Sequence, residues 1–142
     1  MMLRTITADD MDRVIQIWFE SSIIAHAFAD PEYWRSKTEA MRTLYIPNSE
    51  TWVWEDDENI QGFLSLNKND LAALFVLPEA QGHGIGTALM DLAKSLRDEL
   101  TLAVYTENTR SVSFYRKQGF TEIREQTDEH TGRRELIMAW KK

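Results

Sequence analysis

Cysteine is absent from the chain, which excludes disulfides, thiolate metal sites and any mechanism built on a covalent cysteine intermediate. Proline occurs three times and glycine six, too few for a flexible linker, and no internal repeat or low-complexity tract marks a boundary. No apolar run reaches the roughly 18 residues that a membrane helix requires, and "MMLRTITADD" lacks the pattern of a secretory signal, so the expected address is cytoplasmic, without a membrane partner. Basic residues are the minority, 16 against 23 acidic, for a net charge of -7. That balance disfavours nucleic-acid partners and leans towards cationic ones. The 142 residues, 43% hydrophobic, suit one domain spanning positions 1-142.

What the chain does contain is a mixed order of elements. "LRTI" reads as a short strand, and Thr7 with Asp10 resembles a capping box for a helix whose Met11, Val14, Ile15, Trp18 and Ser22 share one side. Asp30 and Pro31 are an N-cap and first-turn pair for a second helix carrying Trp34, Met41 and Tyr45. The period then changes to that of strands in "TWVWED", "IQGFLSLN" and "LAALFVL", whose short connections imply an antiparallel meander. Beyond Pro78 come a helix with Ile85, Leu89, Leu92 and Leu96 at core spacing, the strand "LTLAVYT", a helix "TRSVSFYRKQ" ended by Gly119, and a hairpin of "TEIREQTD" with "ELIMAW". The strand from Leu71, the helix from Gly84 and the strand from Leu100 form one β-α-β crossover, so two strands should run parallel in an otherwise antiparallel α/β sheet.

The junction of strand and helix holds the chemistry. Gly82, Gly84 and Gly86 stand at alternate positions where a helix begins, and a helix start offers free N-H groups and the positive end of its dipole to an anion. A turn into a helix needs one glycine at most; three favour close approach by a ligand. The spacing is not the G-x-G-x-x-G of a dinucleotide fold, and no lysine follows as in a P-loop. It fits Q-x-x-G-x-G, as Gln81, Gly84 and Gly86. About one β-α-β unit later comes "ENTRSVSFYRKQGF".

These two motifs in this order, with the element order around them, resemble the GNAT superfamily of N-acetyltransferases. The resemblance covers most of the chain; residues 1 to 50 match in pattern only. It implies the GNAT fold and acetyl-CoA as co-substrate, with no metal. The amides of Gly82, His83, Gly84, Ile85, Gly86 and Thr87 would then hold the pyrophosphate, with Gln81 opening the motif, and His83 either touches phosphate or is a solvent-facing spacer. Phe75, Val76 and Leu77 would offer backbone groups to the pantetheine arm where two strands splay apart, and an amide of Phe75 or Val76 would polarise the thioester carbonyl. Tyr115 falls on the motif tyrosine that serves many relatives as general acid. A tyrosine titrates near 10 and a thiol near 8.5, so the phenol stays protonated and can supply the departing sulfur. Helical geometry sets Phe114 and Tyr115 about 100° apart, one for the core and one for the cleft. Asn108 would lie near the CoA arm, although as the residue before a helix it is equally an N-cap.

Proton removal from the attacking amine is where the sequence departs from some relatives, since Ala103 stands at a position that carries glutamate in them. Glu107, Glu20, His26 or a water chain are the alternatives. For the acceptor, an amine-bearing small molecule or a protein lysine or α-amine, the segment "SSIIAHAFADPEYW" and an aromatic wall of Tyr33, Trp34, Trp52 and Trp54 are the candidates. Trp52 and Trp54 share a strand face that serves equally as core. The reading is an acetyl-CoA-dependent N-acetyltransferase working by direct transfer, with a non-catalytic acyl-CoA sensor or interaction module as the alternative.

Overall fold

A computed structural model describes residues 2-26, 29-57 and 59-142. Ala27 and Phe28, inside the acceptor segment named above, lie outside the described residues. Among the described residues, seven strands make one sheet in the order β1-β2-β3-β4-β5-β7-β6. These are β1 (Met2–Thr5), β2 (Glu50–Asp56), β3 (Asn59–Asn67), β4 (Asp70–Val76), β5 (Glu99–Tyr105), β6 (Thr121–Thr127) and β7 (Arg134–Lys141). The expected meander is β2 to β4. Lys68 turns its second corner with φ 55.

Gly62 to Leu66 of β3 are buried without a break, as a strand covered on both faces must be. The layers come from α1 (Met11–Ala25) and α4 (Ile85–Leu96), each packed on β3 and β4. Helix α1 buries Val14, Ile15, Ile17, Trp18, Ser21 and Ser22. It is entered through a short 3₁₀ turn at which the Thr7 amide donates to Asp10 Oδ2 at 2.8 Å. Helix α4 buries Ile85, Leu89, Met90 and Ala93, leaving Leu92 and Leu96 partly buried at the edge of its apolar stripe.

The second helix corrects the expectation. Asp30 does cap it, accepting from the Glu32 amide at 2.9 Å with Pro31 in the first turn, yet α2 ends at Ser36 (Pro31–Ser36). It continues as α3 (Thr38–Ala40) and a π-helical turn, Met41–Tyr45. That wider turn rotates the register, so Ile46 enters the core and Tyr45 is left 55% exposed.

The crossover through α4 sets β4 and β5 parallel, but they pair only at Asp70 and Thr101. A bulge contributes to the parting. Ser65 pairs with Ala73 and Leu66 with Leu71, so Ala72 is the extra residue, and such an insertion bends and twists its strand. β5 instead pairs along its length with β7, while α5 (Thr109–Lys117) closes the far side of the gap.

Candidate active site

Beyond the single Asp70-Thr101 pair the strands diverge into a cleft of about 610 Å³. Its walls are the C-terminal end of α1 (Ser21, Ile24, Ala25), the end of β4, the glycine loop with the first turn of α4, and residues 107-111 with Phe114 and Tyr115.

Strand alternation decides which β4 groups reach this space. The Leu77 amide donates to Gln61 O at 2.9 Å, towards β3. By the two-residue period the Phe75 amide also faces β3, where its ring stacks on Phe63 with centroids 5.7 Å apart. Leu74 and Val76 therefore turn their amides and carbonyls to the gap, and both line it. Of the three residues expected to serve the cofactor arm, Val76 alone lines the cleft; Phe75 faces β3, and Leu77, just past the end of β4, is core. The Val76 carbonyl is held by Ser21 Oγ at 3.2 Å and by Gln81 Nε2 at 3.1 Å, so Gln81 ties the loop to the strand end.

Gln81, Gly82, Gly84, Ile85, Gly86 and Thr87 all line the cleft, whereas His83 is exposed and does not. Gly82 and Gly84 have φ of 85 and 84, and Gly84 is the N-cap of α4. Gly86 differs. It sits in the helix without positive φ, and a Cβ there would meet nothing nearer than Phe114 Cζ at 3.6 Å, an ordinary contact. Glycine inside a helix is unfavourable by about 1 kcal/mol against alanine. Neither backbone nor packing accounts for it, so the surface it leaves bare suits a ligand pressed against the helix start.

Asn108 is the expected N-cap, its Oδ1 accepting from the Ser111 amide at 3.3 Å, and it also lines the cleft. Phe114 and Tyr115 both border the cleft and both are half-buried, so the expected division between core and cleft is not kept. Tyr115 packs edge-on between Phe114 and Phe120, centroids 5.5 and 5.8 Å away. Burial pushes its phenol up to about 12, and it carries its proton at neutral pH.

Among the proposed bases only Glu107 lines the cleft, paired with Arg133 at 3.2 Å. Glu20 accepts from Gln16 on α1 instead. His26 lies against Trp34 and Tyr105, centroids 5.2 and 5.0 Å away, where burial lowers its pKa to about 4 and leaves it neutral at pH 7. The Tyr105 hydroxyl donates to Asp128 in the β6-β7 turn. Tyr33 packs on Trp34 at 4.8 Å. Tyr33, Trp34, His26 and Tyr105 thus form one aromatic cluster, and none of the four lines the cleft. Trp52 and Trp54 belong to β2, two strands from β4, with Trp54 in the core and the Trp52 indole donating to Glu50 at 2.9 Å. Ser21 belongs to the segment named for the acceptor, whereas sequence reasoning missed Leu74 and Arg110. Leu74 sits in an apolar strand that reads as core, while Arg110 was legible as a cation two residues past Asn108.

The family model described as acetyltransferase (GNAT) family matches residues 11-120. The chain belongs to that family. This acetyltransferase is 34% identical over 140 residues to peptidyl-lysine N-acetyltransferase YiaC of Escherichia coli (strain K12), covering 98% of this chain and 96% of the relative. The solution structure of apo-form YjaB from Escherichia coli superposes with TM-score 0.85 at 28% identity, over 97% of this chain and 95% of that one. The fold is also that of the PaiA N-acetyltransferase of Thermoplasma acidophilum, solved in complex with coenzyme A, with TM-score 0.83, 24% identity and coverage of 99% and 98%. The resemblance drawn from the two motifs therefore holds: the chain is an N-acetyltransferase of the GNAT fold.

Proposed function

We propose that this acetyltransferase transfers the acetyl group of acetyl-CoA directly to the side-chain amine of a lysine in a peptide or protein. The observation that carries the reading is the convergence on one cleft of the glycine loop, the gap-facing backbone of Val76 and the protonated Tyr115. The bare surface at Gly86 fits a bound pyrophosphate, and the amides from Gly82 to Thr87 supply donors for it at a helix start. When bound, acetyl-CoA supplies an acyl thioester open to attack by a neutral amine.

The protein's part is to bind, orient and move protons. Leu74 and Val76 offer an exposed strand edge to the pantetheine amides, and the Val76 N-H is the donor available to the thioester oxygen. Tyr115 gives its proton to the departing sulfur. The amine's proton passes to water at the open mouth of the cleft, where Glu107 is the one lining carboxylate among the described residues; Ala103 has no group to take it. Absence of cysteine supports attack by the acceptor itself rather than by an enzyme thiol. Lysine is favoured over other amines because the relative covering nearly the whole chain is named for peptidyl-lysine.

Two peptides test the acceptor, one with a blocked N-terminus and a single lysine, the other with a free N-terminus and none. Acetylation of the first alone, with Tyr115→Phe lowering kcat about 100-fold while acetyl-CoA affinity holds, is the expected result. Acetylation confined to the second would make the enzyme an α-amine transferase.

A further inference from the structure

Among the described residues, two charged side chains line the cleft, Glu107 and Arg110. In a protein of net charge -7, Arg110 is the single cation among those lining residues. It is exposed and makes no ion pair or side-chain hydrogen bond with the described residues, unlike Arg116 on the same helix, which is paired with Glu122. Its position on α5 is also directed. Phe114 is the nearest side chain to the bare face of Gly86, and Arg110 stands four residues earlier, one turn towards the helix start on the same side. Its guanidinium is therefore carried on the wall facing the glycine loop, next to Thr109 and Ser111, both of which line the cleft.

A coenzyme A molecule presents two anionic groups, the pyrophosphate and a phosphate on the ribose 3′ position. The glycine-loop amides and the α4 dipole can serve the first without any side-chain cation. The ribose phosphate is a second dianion, separate from the group that the glycine-loop amides would hold. We infer that Arg110 binds the ribose 3′-phosphate and makes this enzyme select CoA esters over their dephosphorylated forms. The inference rests on the acetyl-CoA reading given above. A guanidinium suits the task because its planar fork binds two phosphate oxygens at once and its charge does not titrate.

The test is a calorimetric titration of CoA and of dephospho-CoA into the wild-type chain, Arg110→Gln, Arg110→Lys and Arg124→Gln. Arg124 is exposed on β6 and outside the cleft, so its loss lowers the net charge equally without touching the site. The wild type should prefer CoA by about tenfold, the scale of an exposed charge-assisted pair. Arg110→Gln should abolish that preference by weakening CoA alone, Arg110→Lys should keep part of it, and Arg124→Gln all of it. Equal affinity of the wild type for both ligands overturns the inference. So does equal weakening of both by Arg110→Gln, which would put Arg110 on the pyrophosphate. Binding of neither ligand by the wild type removes the acetyl-CoA reading itself, a different failure from the other two.

Discussion

Gly86 separates two reasons for using glycine. Gly84 needs its left-handed backbone, and any side chain there is strained by about 1 kcal/mol or more. Gly86 lies within helix α4 with room for a methyl group in the protein alone. Gly86→Ala should therefore fold as well as the wild type, gaining up to about 1 kcal/mol of stability from helix propensity. Acetyl-CoA affinity should fall about tenfold or more, since an added methyl in a close contact costs roughly 1-3 kcal/mol. Thermal melting and ligand titration on the same sample check both halves. A variant that is destabilised but binds normally would make Gly86 a folding residue. Tyr115 belongs to the same scale through electrostatics: burial pushes its pKa up to about 12 and keeps it protonated at neutral pH, as the proposed proton donation to the leaving sulfur requires.

Between elements, the entry to α1 is fixed by charge. Asp10 is 7% exposed and receives Arg4 at 2.7 Å and the Thr7 amide, while the other arm of Arg4 reaches Glu55 on β2. The Arg4 hydrogen bond is the main cause that lowers the Asp10 pKa from 3.8 to about 2. A carboxyl depressed in the folded state contributes stability above its unfolded pKa and loses it as pH falls through the folded one. Asp10→Asn should thus cost roughly 2 kcal/mol at pH 7 and flatten the fall in stability between about pH 4 and pH 2, measured by denaturant melts across that range. An unchanged acid limb would assign the acid sensitivity to other carboxylates. Much at this scale was legible in the sequence. Capping residues, strand alternation and the change of period located the strands and helices α4 and α5, and the Gln81, Gly84, Gly86 pattern with "FYRKQGF" lies along the cleft. The remainder depends on long-range geometry. The bulge at Ala72 is set by β3, and it is the β3 pairing that turns Phe75 and Leu77 away while presenting Val76. The break at Lys37 follows from docking Trp34 and Ile46 into the core rather than from a local breaker.

Over the whole molecule, the cleft exists because a seven-stranded sheet is joined at its centre by one residue pair. Two halves, each held by antiparallel ladders, diverge at the parallel seam and leave an unpaired β4 edge where an extended ligand can add itself. Helices α4 and α5 begin on the two sides of that opening. The proposed direct transfer requires donor and acceptor to meet in one ternary complex. The direct measurement is a calorimetric titration of acetyl-CoA, followed by addition of the N-blocked lysine peptide to the same sample with continuous detection of free thiol. Saturable one-to-one binding with no thiol until peptide is added, then thiol and acetyl-lysine in equal amounts, is the predicted result. Binding without thiol release in the presence of any amine would contradict transfer and leave a CoA sensor. Thiol release before the peptide is added would contradict direct attack.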